Sequence, residues 1–303
     1  MALLFAALVA AGVRVPGGEL ARAVASRILC AAALAERCGD EPVLIAAYGE
    51  EVGKLVRRQM PALFFERGSK AMPVDFRRCR ASACADGSAR GLVHHTDAGL
   101  PVTAFVRVID CREGATVAGD ALLPGGAGAA GASSPPSCAG PRAGRLYIQY
   151  WTYYPDSATL RGVPVAGSAG YHRDDWESVQ FRIGPDGRVD QRASSHHGYN
   201  HLKGAANWGS DAAIRPLNAA AEALGARPRR GWGPETGILL VSGGSHAGNS
   251  GGFPRIDRVT PGRRVHLVPL EPLVEAGADR HRFAVSPPWR KQAWHDPEAR
   301  GTE

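Results

Sequence analysis

The chain has 303 residues, 44% hydrophobic and 21% charged, which suits one large domain or two small ones and excludes global disorder. Lys and Arg number 36 against 29 Asp and Glu, for a net charge of +7. No dense basic run accompanies that charge, which argues against a nucleic-acid partner and leaves an anionic membrane surface as a candidate partner.

The first residues, 1–13, are apolar and uncharged, too short to span a bilayer. They resemble the apolar core of a signal peptide or signal anchor without its positive leading region. Residues 1–60 are read as an N-terminal apolar and helical segment, a truncated signal anchor, ahead of a domain over 61–303. Within it, Leu20, Val24, Ile28 and Leu29 recur at helical spacing and predict a helix over 18–37. Val43, Tyr48, Val52, Leu55 and Val56 predict a second over 43–58, with Glu50 four residues before Lys54 and Met60-Pro61 as its stop. Six cysteines, Cys30, Cys38, Cys79, Cys84, Cys111 and Cys138, form an even set with close neighbours. The spacing suggests disulfides 30–38, 79–84 and 111–138, although six cysteines allow many pairings, and it suggests an extracellular or cell-surface location.

From residue 100 the period becomes that of strands. Residues 102–109 are rich in β-formers, 121–144 read as a long Gly/Ala/Ser/Pro loop, and Arg145 to Tyr154 is an aromatic strand stopped by Pro155-Asp156. Tyr147, Gln149, Trp151 and Tyr153 share one face of it, and Ile148, Tyr150 and Tyr154 the other. A strand from Asp175 to Ile183 turns at Gly184-Pro185-Asp186-Gly187 and returns from Arg188 to Ser195. Loop or helix is expected over 205–230, then strands over 236–241 and 264–270. Trp289 and Trp294 are the packing anchors of a polar tail. Many short strands without βαβ alternation predict a mainly β fold, a β-sandwich with peripheral helices and an N-terminal helical segment.

The chemistry concentrates in Tyr171-His172-Arg173-Asp174-Asp175-Trp176-Glu177. Strand alternation gives Asp175 and Glu177 the parity of Val179, Phe181 and Ile183, which places both carboxylates at the end of a core-facing row. Unpaired carboxylates are costly there, and a divalent cation is the simplest partner, with His172 and Asp156 completing its shell. Magnesium, manganese or calcium suits such a donor set better than zinc. His196, His197 and His246 lie near strand ends and are candidates for the pocket rim, with Tyr154 and Trp151 as further pocket candidates. Ser245 is not a nucleophile elbow, because Ala247 stands where G-x-S-x-G needs glycine.

The run His172 to Glu177 resembles the heptapeptide of the necrosis-inducing (Nep-like) proteins, Gly-His-Arg-His-Asp-Trp-Glu. Trp151 to Asp156 and Ser194 to Tyr199 are similar to that family's aromatic strand and its Ser-then-His-Gly-x-Tyr element, in the same order. Asp-Trp-Glu and Ser245-His246-Ala247 also resemble the vacuolar-sorting-sixty-two-like family. The resemblance spans 145–250 and implies a divergent bacterial member: a β-sandwich with a divalent cation held by Asp156, His172, Asp175 and Glu177. It further implies a secreted protein that binds a glycan or lipid headgroup and is active at membranes. Asp174 replaces the family's second histidine and Tyr171 its glycine, which puts toxin activity in question. A catalytic role is unassigned. The alternatives are a metal-dependent hydrolase of phosphoesters or glycans, with a histidine as general acid or base, and a surface protein whose ion serves only stability.

Overall fold

A computed structural model describes residues 40–67, 71–81, 100–112, 138–158, 171–195, 198–199, 238–243, 245–249, 256–275, 277–278 and 281–299. The chain divides into two compact units at the Arg57–Arg58 junction. The helix expected over 18–37 lies outside the described residues, and so do the 205–230 segment and most of the 121–144 loop.

The single helix expected over 43–58 is two: α1 (Glu41–Tyr48) and α2 (Glu50–Gln59). Gly49 separates them at φ 79, a conformation that glycine adopts without a Cβ clash, while its N–H caps Ile45 O. A Cβ on Gly53 would meet the backbone of Ile45 at 2.6 Å, so only glycine lets α2 pass this close to α1. The expected Glu50–Lys54 pair forms at 2.7 Å on the exposed face.

In the second unit the fold is mainly β, a β-sandwich with peripheral helices. One sheet has four strands in the order β8-β7-β1-β9: β1 (Ala62–Glu66), β7 (Ile238–Val241), β8 (Gly248–Asn249) and β9 (Ile256–Thr260). The other has six in the order β10-β2-β3-β4-β5-β6: β2 (Thr103–Asp110), β3 (Leu146–Ala158), β4 (Tyr171–Ile183), β5 (Val189–Ser195), β6 (Gly198–Tyr199) and β10 (His266–Pro269). Each sheet carries one parallel pair, β1 with β7 and β2 with β10, joining segments far apart in sequence. The turn at Gly184-Pro185-Asp186-Gly187 connects β4 to β5, with Gly187 at φ 76.

Two strand limits differ from the sequence expectation. β3 does not stop at Pro155-Asp156 but runs on to Ala158, and β4 starts at Tyr171 rather than Asp175. The two pair without a register break from Leu146↔Ile183 to Ala158↔Tyr171. Proline is tolerated because Tyr153 O, two residues earlier, faces away from β4 and accepts from Val74 N. Pro155 shares that direction, and the pairing of β3 with β2 has already stopped at Phe105↔Trp151, so the missing N–H breaks no ladder bond.

The two faces of β3 divide as alternation requires. Trp151 and Tyr153 join Trp176, Phe76, Phe105, Trp289 and Trp294 in an aromatic core. Phe76 opens α3 (Phe76–Ala81), and the C-terminal strap, which contains α5 (Gln292–His295) and runs on to Ala299, supplies the last two rings. A short helix, α4 (Glu271–Glu275), follows β10 and adds Leu273 and Val274 at the edge of this core. On the opposite face Tyr150 meets Phe181 edge-on at 5.8 Å, directly before the carboxylate row.

Candidate functional site

The aromatic strand and the acidic heptapeptide lie side by side. Cross-strand partners are Thr152↔Glu177, Tyr154↔Asp175, Asp156↔Arg173 and Ser157↔His172. Asp156, Asp175 and Glu177 are all buried, at 0%, 7% and 7% exposure. Asp175 and Glu177 continue the row of Val179 and Phe181, which are themselves buried in the core. Such carboxylates are sustained only by hydrogen bonds or opposite charge.

His246, in the turn between β7 and β8, closes over this row. Its ring stacks on Tyr154 with centroids 4.0 Å apart and planes 7° from parallel, and Nδ1 lies 2.9 Å from Asp175 Oδ2. A carboxylate oxygen can only accept, so Nδ1 carries the hydrogen of this bond. Nε2 is buried and has no hydrogen-bond partner. His246 adopts φ 55, outside the usual range for a residue with a Cβ. The turn is held by Ser242 N to Ala247 O at 3.0 Å and by Gly243 N to Glu66 Oε2 at 2.9 Å. Glu66 was not among the residues that sequence reasoning singled out. Its signal is slight: a lone carboxylate closing the apolar run Ala62 to Phe65.

His172 behaves differently from the other expected ligands. It has the opposite strand parity to Asp175 and Glu177, is only half-buried, and donates from Nδ1 to Asp174 O at 2.7 Å. Asp174 is the second non-glycine residue at positive φ, 58. Its carboxylate points to the aromatic face, accepting from Tyr153 Oη at 2.7 Å and from Ala284 N at 2.7 Å. Where the Nep-like pattern has histidine, this chain has a structural carboxylate that ties β4 to the segment before the C-terminal strap.

Burial, with Asp175 and Glu177 adding negative charge, pushes the Tyr154 hydroxyl well above the ordinary tyrosine range, against a hydrogen bond from Thr152 that works the other way. The hydroxyl therefore stays protonated beside the carboxylates. Trp151, expected as a pocket residue, faces the aromatic core instead and donates from Nε1 to Gln149 Oε1 at 3.2 Å. His196 and His197 lie outside the described residues. Among the described residues no group of three or more His, Cys, Asp or Glu side chains is arranged to hold a metal ion. No described helix is long and apolar enough to cross a membrane.

Of the expected disulfides, Cys111–Cys138 is formed. Cys79 is disulfide-bonded, and Cys30, Cys38 and Cys84 lie outside the described residues.

Fold and site together define a β-sandwich protein with a buried, carboxylate-rich row against one sheet and a histidine folded over it. No protein-family model matches the chain, and no curated protein matches it. Among solved structures it is similar to Necrosis and Ethylene inducing Protein 2 from the causal agent of cocoa's Witches Broom disease. The identity is 16%, the TM-score 0.34, and the match covers 70% of this chain and 72% of the other. A likeness that distant says nothing of activity.

Proposed function

We propose that this chain is an extracytoplasmic β-sandwich protein that binds a polar ligand, a glycan or lipid headgroup, through a divalent cation at the carboxylates of Asp156, Asp175 and Glu177, with His172, on the opposite face of β4, outside the donor set. The observation that carries the reading is the buried carboxylate row of the β3–β4 ladder. Asp156, Asp175 and Glu177 sit on one face within one short stretch of paired strand, and Asp175 is engaged by His246 Nδ1. Three carboxyl groups gathered at one buried place are what a divalent cation would offset together.

The donors fit such an ion in kind. Carboxylates suit hard divalent cations. A bound cation would attract hydroxyl or phosphate oxygens of the ligand, and the protonated Tyr154 hydroxyl stands beside the same row. The Cys111–Cys138 disulfide supports an oxidising compartment.

The test is the metal content of the purified full chain, by mass spectrometry, for wild type and for Asp156→Asn/Glu177→Gln. After dialysis against magnesium, calcium and manganese, about one equivalent is expected in the wild type and none in the variant. Vesicles bearing a sugar-headgroup lipid should then sediment with the wild type only when the ion is present. An ion-free wild type would overturn the proposal.

A further inference from the structure

The C-terminal strap crosses the six-stranded sheet over a row of polar side chains. Arg107, Gln149, Gln180 and Arg192 are successive cross-strand partners on β2, β3, β4 and β5, so they share one face. All four are buried, Gln149 and Arg192 completely. Trp294 lies 3.6 Å under the Arg107 guanidinium, and Gln149 Nε2 donates to Ala293 O at 2.8 Å. Arg192 donates to Gln180 Oε1 at 2.8 Å and to the carbonyls of Pro297 and Ala299. Beside the row, Arg145 and Arg182 hold Glu298, and Arg142 holds the partly exposed Asp296. Buried polar side chains need partners, and an apolar cover would leave these unsatisfied. A regular helix would serve no better, because its carbonyls are taken by its own N–H groups. The strap meets the need through its sequence. Ala293 O would accept from residue 297 in a helix, and residue 297 is a proline, which has no N–H. Accordingly α5 stops at His295 and its carbonyls turn to the sheet.

We infer that this face of the sheet is a peptide-binding surface, occupied in cis by the chain's own residues 293–299, and that its partner in trans is an acidic peptide of the pattern Trp-x-acid-Pro-acid. What the face engages is one indole, a set of backbone carbonyls, and carboxylates two and four positions after the tryptophan. Those are properties of a short segment, and none of them depends on a covalent link to the sheet. Charge is complementary, with Arg142, Arg145 and Arg182 facing the carboxylates of Asp296 and Glu298. The Asp296 contact lies at the solvent edge, where a competing carboxylate reaches it first; the Arg192 and Gln149 contacts lie beneath and change hands only as the strap lifts. A tethered segment competes at an effective concentration on the order of millimolar. A separate peptide therefore enters where the hold of the strap is weakened. The carboxylates of the proposed cation site lie on the opposite face of β3 and β4, so this inference stands or falls apart from that reading.

The experiment uses the full chain with its disulfides intact and a fluorescent synthetic peptide with the sequence of residues 287–299. Binding is read by anisotropy for wild type and for Asp296→Asn/Glu298→Gln, whose own strap keeps its shape and loses its charge. The peptide should bind the variant at least about tenfold more tightly than wild type, because the weakened strap competes less. A peptide with both acids replaced by their amides should bind the variant about tenfold more weakly than the acidic one. Hydrogen exchange read by mass spectrometry should show the strap amides of the variant losing protection as the peptide binds, with β3 and β4 still protected. If the double variant does not fold, Glu298→Gln alone takes its place. No binding to the variant at about 1 mM peptide, the scale of the tether's own competition, overturns the inference. So does binding that leaves the strap protected. A variant that forms dimers which the peptide does not dissociate overturns the separate-peptide partner and assigns the face to the strap of a second copy.

Discussion

Tyr147 Oη, Arg145 Nη1 and Arg182 Nη1 all donate to the carboxylate of Glu298, at 2.7, 2.9 and 3.0 Å. Burial alone would raise the pKa of this carboxyl, but the Tyr147 hydrogen bond and the Arg182 charge outweigh it and hold the group below the ordinary carboxylate range. A carboxyl depressed in the folded state stabilises the fold above its unfolded pKa, and that stabilisation is lost as pH falls through the folded value. Glu298→Gln keeps the shape but removes the charge, and leaves Tyr147 and two guanidinium groups competing for one amide oxygen. The expected loss is about 1–3 kcal/mol at neutral pH, shrinking toward zero once the wild-type carboxylate is itself protonated. Denaturant unfolding on both sides of the carboxylate range reads this directly. An equal loss on both sides would mean that packing, and not charge, is what Glu298 contributes.

The C-terminal strap is the element that Glu298 fastens, and it closes the outer face of the six-stranded sheet. Arg142 reaches Asp296 at 2.6 Å, Gln149 Nε2 donates to Ala293 O at 2.8 Å, and the fully buried Arg192 donates to the carbonyls of Pro297 and Ala299. Trp294 lies under the Arg107 guanidinium, 3.6 Å from the ring centroid, and belongs to the aromatic core. Trp294→Ala should therefore cost about 3–5 kcal/mol, the range for a buried large aromatic. A denaturation midpoint within 1 kcal/mol of wild type, on the order of a surface change, would show the strap to be peripheral. Trp289 and Trp294 were legible as anchors because nothing else in a polar tail calls for tryptophan. The strands β2 to β5 were legible for the same kind of reason: their alternation is strong and their turn has the residues that a tight turn needs. What was not legible depends on contacts between distant segments. β1 and β9 are short and flanked by no clear turn, and they are strands because β7 lies beside β1. The parallel pairs cannot be read from local period at all. At the site, alternation placed Asp175 and Glu177 correctly. The pairing of His246 with Asp175 depends on a turn 71 residues away, and the left-handed Asp174 bonds to Tyr153 and to the distant Ala284; no spacing rule carries that information.

At the scale of the whole molecule, the Cys111–Cys138 bridge is a covalent constraint with both ends among the described residues. Its cysteines are separated by 27 residues, and it lies where the β2–β3 ladder ends at Asp110↔Leu146. The backbone continues the pairing just beyond, with Cys111 N donating to Arg145 O at 2.8 Å and Gly144 N to Cys111 O at 2.9 Å. The bridge thus locks a connection whose geometry hydrogen bonds already define, so it acts chiefly on the unfolded chain. Closing a loop of this length removes unfolded-state entropy equivalent to about 3–4 kcal/mol in the chain-entropy account. The Cys111→Ser/Cys138→Ser variant should lose roughly 2–4 kcal/mol of stability while retaining the wild-type ion affinity. The reason is topological: β2 meets β3 at the Asp110 end of the ladder through this bridge, whereas the carboxylate row lies beyond Trp151, at the opposite end of β3. Melting curves of wild type and variant, each with and without added calcium, separate the two effects. A lower melting temperature with the same calcium-induced rise means that the bridge holds the scaffold and leaves the site alone. A rise that vanishes with the bridge would mean that ordering at one end of β3 controls donor placement at the other, and the site would then have to be understood as a property of the whole sheet.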